Sequence, residues 1–87
     1  MTGNSAQLTA DITAGPGGVM TDEVGVVTGT LTLRTELDAS KVATLHVQYK
    51  DADEWYTVTG GHCQLASAED LAAVHALAVG LLNRPSG

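Results

Sequence analysis

An 87-residue chain with 44% apolar and 16% charged residues is long enough for one domain and too apolar for a disordered tail. Its ten carboxylates against four Lys or Arg give a net charge of −6, which disfavours general binding to phosphate backbones or to an acidic membrane surface. With no Phe, one Trp and two Tyr, the core must be packed from Leu, Val and Ala, and a core that thin makes dimerisation a natural way to gain buried area.

Residues 6–14 alternate strictly, with Ala6, Leu8, Ala10, Ile12 and Ala14 on one side and Gln7, Thr9, Asp11 and Thr13 on the other, the period of a half-buried strand. Its small inward side chains suit an edge position. Gly15-Pro16-Gly17-Gly18 then interrupts the pattern, so residues 15–23 are expected as a flexible loop. A second alternation over residues 27–37 places Val27, Gly29, Leu31, Leu33 and Leu37 inward, with Thr35 as the one polar intruder. Asp38-Ala39-Ser40 supplies turn chemistry. A third strand follows with Ala43, Leu45, Val47 and Tyr49 inward and Thr44, His46, Gln48 and Lys50 outward. A turn over residues 51–54 leads to a fourth strand from Trp55 to about Thr59, in a register that sets Tyr49 against Tyr56 and Lys50 against Trp55.

Gly60-Gly61 is expected to end the sheet. Ser67, with Asp70 three residues on, reads as the N-cap of the only helix, and Pro85 stops that helix near Asn83 or Arg84. A helical wheel gathers Leu71, Val74, Leu77, Ala78, Leu81 and Leu82 on one face and Ala72, Ala73, Ala76, Val79 and Gly80 on the back. The expected architecture is α+β in two layers: an antiparallel four-stranded β-meander with one C-terminal helix packed on one face, β-β-β-β-α. All 87 residues form a single domain, with disordered tails at residues 1–5 and 85–87.

Parity puts Arg34, His46, Gln48, Lys50 and Trp55 together on the uncovered sheet face, beside Thr57 and Thr59. A Trp among polar donors is the kind of centre that carries binding energy between proteins, so these five residues are the candidate binding site. The helix back is a second candidate surface, because small side chains let another helix come close. His46, His62 and His75 do not stand at zinc-ligand spacing from one another or from Cys63, and Asp51, Asp53 and Glu54 begin like a calcium loop but lack its glycine and its twelfth-position Glu. The glycine run carries no Lys-Ser/Thr and precedes no helix, so it is not a phosphate loop. No catalytic residue, metal site or cofactor is therefore expected.

The single cysteine forms no internal disulfide, the start of the chain lacks a basic and apolar leader, and the apolar stretch Leu71–Leu82 is shorter than the roughly 20 residues of a bilayer crossing. A cytoplasmic address follows, and the Ala, Gly, Thr and Val bias is of the kind a GC-rich bacterial genome produces. Residues 47–82, VQYKDADEWYTVTGGHCQLASAEDLAAVHALAVGLL, resemble in pattern the strand–turn–strand–helix arm domains of phage-type integrases, which read DNA with a three-stranded sheet. The resemblance implies a nucleic-acid-binding module using the open sheet face. The residues themselves favour a small acidic non-enzymatic protein-interaction module, accessory or regulatory, whose partner is another protein or a second copy of the chain. A small enzyme or metal-binding protein using Cys63 with a histidine is the remaining alternative.

Overall fold

The alternating segments build four strands, β1 (Ala6–Thr21), β2 (Gly25–Leu37), β3 (Val42–Tyr49) and β4 (Tyr56–Gln64). A 3-10 turn (Ala68–Asp70) then leads into the helix α1 (Leu71–Leu82). The computed structural model describes residues 6–85. Of the tails expected at residues 1–5 and 85–87, only Pro85 lies among the described residues, where it is exposed. Each strand pairs antiparallel with the next, and the helix packs against the meander, so the α+β, β-β-β-β-α architecture is the one expected.

The sheet also closes on itself. Thr21 of β1 pairs with Val58 of β4, which turns the meander into a barrel in the order β1-β2-β3-β4. Two irregularities bend the strands far enough for this. In β1 the register jumps between Ala14 and Val19, so the Gly-Pro-Gly-Gly run is carried as a bulge within the strand and not as the loop expected over residues 15–23. Pro16 has no N–H to offer a ladder and sits where the ladder is broken. Gly18 has φ +69, and a Cβ there would collide with the Val26 side chain and lie 2.7 Å from the Val27 carbonyl oxygen, so only glycine fits. The chain turns instead at residues 22–24, directly against β4.

In β4, Val58, Thr59, Gly60 and Gly61 all stand opposite Leu45 alone, between the pairs His46–Thr57 and Thr44–His62. The glycine pair therefore kinks the strand without ending it, and β4 runs on through His62 and Cys63 to Gln64. The kink frees Val58 to meet β1. It also places the strand start so that Val47 pairs with Tyr56, two residues away from the expected register.

Ile12, Leu31, Leu33 and Val47 fill the barrel at 2% exposure or less, each burial worth about 1.5–3 kcal/mol. Ala78 of α1 joins this cluster, while Leu71 joins a second one with Leu37, Ala43 and Leu65. Thr35 is fully buried among them, and its Oγ1 lies 2.8 Å from Nδ1 of His75 on α1. Ser67 caps the 3-10 turn by accepting from the Glu69 amide at 3.2 Å. At the other end, Asn83 Oδ1 accepts from the Thr13 amide and the Arg84 amide donates to the Thr13 carbonyl, which ties the end of the helix to the open edge of β1.

Candidate functional site

The outer sheet face carries the five residues singled out from the sequence. Arg34 and His46 are cross-strand partners, in a row that runs Thr9, Arg34, His46, Thr57 across the four strands. The Arg34 guanidinium carbon lies 4.1 Å over the Trp55 ring, a cation–π contact on a half-buried indole. Glu36 Oε1 is 3.6 Å from an Arg34 terminal nitrogen and 3.6 Å from His46 Nδ1, an ion-pair distance longer than a hydrogen bond. Arg34 Nε and His46 Nδ1 are buried and, among the described residues, have no hydrogen-bond partner.

Gln48 lies one pleat along, opposite Thr32. Lys50 departs from expectation: it does not face Trp55 but reaches Asp11, Nζ to Oδ2 2.6 Å, while Thr32 donates to the other Asp11 oxygen at 3.2 Å. The two-residue difference in the β3–β4 register explains this, since Trp55 is carried back towards Arg34 and Lys50 is left beside β1. The Lys50 hydrogen bond, followed by that of Thr32, lowers the Asp11 pKa, and Asp11 in turn raises that of Lys50. Tyr49 and Tyr56 meet edge to face at 6.5 Å. Tyr56 donates to Glu54 Oε1 at 3.1 Å, the main cause of a raised phenol pKa.

Beside this face, two carboxylates fasten the β1–β2 turn to β4. Glu23 accepts from the Thr57 amide at 2.7 Å and from the Thr57 hydroxyl at 2.8 Å, and Asp22 accepts from the Thr59 hydroxyl at 2.7 Å. The Thr57 hydroxyl and then its amide hold the Glu23 carboxyl below its ordinary value of 4.5. The three histidines are dispersed: His46 is on the outer sheet, His75 is bonded to Thr35 beneath the helix, and His62 is on β4 next to exposed Cys63. Among the described residues no three His, Cys, Asp or Glu side chains gather as a metal site.

The second candidate surface, the helix back, is shifted in the structure: Val79, expected there, is half-buried, while Leu77 and Leu81, expected inward, are exposed. The helix is rotated from the expected wheel: Leu71 and Ala78 are buried, Val74, His75, Val79 and Leu82 are half-buried, and Leu77 and Leu81 stand 64% and 57% exposed. His75 turns inward to bond Thr35, while Leu77, two residues on, faces away from the barrel. Leu77 and Leu81 border an apolar groove of about 180 Å³ between α1 and the β3–β4 pair, floored by Ala43, Leu45 and Cys63. A further apolar patch, Met20, Val24 and Val26, is exposed at the β1–β2 turn.

No protein-family model matches this chain, and no curated protein or solved structure matches it. Among the described residues no helix is long and apolar enough to cross a membrane.

Proposed function

We propose that the chain is a small non-enzymatic protein-interaction module that binds through the outward face of α1 and the apolar groove beside it. The observation that carries this reading is the exposure of Leu77 and Leu81, at 64% and 57%, on the rim of that groove. A helix that is apolar all round is ordinarily buried, and α1 has only His75 as a polar side chain, which faces inward. Its one free thiol, Cys63, suits a reducing compartment such as the cytoplasm.

The outer sheet face supports a second reading as a protein contact, because the half-buried Trp55 ring, with the Arg34 guanidinium over it, lies among polar side chains. It supports nucleic-acid binding less well. Arg34 lies against Glu36 and Lys50 against Asp11, so two of the four basic side chains are already offset by carboxylates.

Capture experiments with the native chain, Leu77→Glu and Trp55→Ala separate the two surfaces. The reading through α1 expects bound protein, a second copy included, to be lost with Leu77→Glu and kept with Trp55→Ala, with both variants folded by circular dichroism. Loss with Trp55→Ala alone would move the site to the sheet, and retention by both variants would remove both surfaces.

A further inference from the structure

Resting on the reading of α1 as the interaction face, we infer that its occupant is a second copy of this chain, packed helix against helix in antiparallel fashion about a two-fold axis at Leu77. Opposite the buried edge of α1, Ala73, Leu77 and Gly80 are exposed and recur at intervals of four and three residues, with exposed Asp70 at the N-cap; Arg84 lies past the helix end, beyond extended Asn83, and is exposed with its Nε donating to the Leu81 carbonyl. That repeat makes a straight stripe along a helix, of the kind that packs against another helix at a shallow crossing angle. Ala73 and Gly80 keep the stripe low on either side of Leu77, and a Cβ built on Gly80 would meet open space. Two backbones can therefore approach closely.

Charge selects both the partner and the direction. A chain of net charge −6 repels its own copies over most of its surface, and the helix Leu71–Leu82 is a stretch with no Asp, Glu, Lys or Arg. The charges lie just beyond its ends: Glu69 and Asp70 before it, Arg84 after it. None of the three makes an ion pair among the described residues. An antiparallel arrangement sets Arg84 of each copy against Asp70 and Glu69 of the other, whereas a parallel one sets like charges together at both ends. Leu77 is beside the midpoint of α1, so the symmetry that brings the helix ends together also sets Leu77 against its own counterpart and brings Leu81 of one copy beside Ala73 of the other. The contact is isologous and closes at two copies.

Sedimentation equilibrium on the full chain tests this. The native protein is expected at twice its 8.9 kDa mass, and Leu77→Glu at the single-chain mass with an unchanged circular dichroism spectrum. Arg84→Glu is expected to weaken association about tenfold, as the loss of two symmetric exposed ion pairs allows, and adding Asp70→Arg to Arg84→Glu is expected to regain most of it. A dimer that survives Leu77→Glu, or that the double reversal fails to restore, overturns the proposed packing. A native chain that stays monomeric into the submillimolar range overturns the self-association. If Leu77→Glu then still abolishes capture of another protein, the reading of α1 as an interaction face stands without a second copy. If it does not, both fall.

Discussion

The barrel is shut along two seams of opposite character. Where β1 meets β4, one strand pair is held by hydrogen bonds: the Asp22 amide to the Thr57 carbonyl, the Glu23 carboxylate to Thr57, and the Asp22 carboxylate to Thr59. Where the strands diverge, α1 fills the gap with Ala78 and Leu82 against the core and with Asn83 and Arg84 tied to Thr13. The polar seam matches each carboxylate to a donor. The helical seam uses one side of an element that is apolar on both. The difference locates one place where the chain holds more apolar surface than its own fold consumes, the outward side of α1, where Leu77 and Leu81 are the most exposed large apolar side chains among the described residues.

The largest effect is expected at the inward side of the helix, where Ala78→Asp forces a charge into the core cluster and should cost about 3–5 kcal/mol, seen as a fall in the denaturant midpoint. Thr35→Val keeps the shape but leaves His75 Nδ1 without its partner, and about 1–3 kcal/mol of stability should go with it. If Thr35→Val were neutral, the bond between Thr35 and His75 would not be what holds α1 to the barrel.

The smallest effect is expected at the polar seam and depends on pH. Glu23 has a folded pKa below its ordinary 4.5, so its hydrogen bonds contribute fully above that value and are lost as pH falls through the lower, folded one. Glu23→Gln should flatten the stability profile on the acid side of pH 4.5 and leave it unchanged in slope near neutrality. Hydrogen exchange should show the Thr57 amide losing protection in acid before the amides of α1 do, and the reverse order would contradict the assignment of the two seams.

Much of the fold was legible in the sequence because alternation survives wherever a strand has a buried side. Leu31, Leu33, Leu37, Ala43 and Val47 all lie inward as their spacing requires, whereas Ser67 caps the 3-10 turn ahead of α1 and Asp70 takes the N-cap position of α1 itself. Closure was not legible. It depends on two bulges, and a glycine run reads the same from sequence whether it breaks a strand or bends one. The same bulge in β4 shifted the register, which is why Arg34, His46, Gln48, Lys50 and Trp55 share a face as parity predicts while Lys50 pairs with Asp11 and not with Trp55. The rotation of α1 was hidden for a different reason. A wheel with apolar residues all round does not point in one direction, and the signal that could have set it was the pairing of one polar residue in an inward row, Thr35, with one polar residue in an apolar helix, His75.

Cross-linking reports whether the outward face of α1 meets a second copy of itself at Leu77. In a Cys63→Ser background, Leu77→Cys places a single thiol on the expected two-fold axis, and Ala72→Cys places one on an exposed position off the stripe. Mild oxidation should convert the Leu77→Cys protein rapidly to a covalent dimer and the Ala72→Cys protein only at the slow rate of random collision. Equal rates for the two would mean that α1 does not meet a second copy at Leu77.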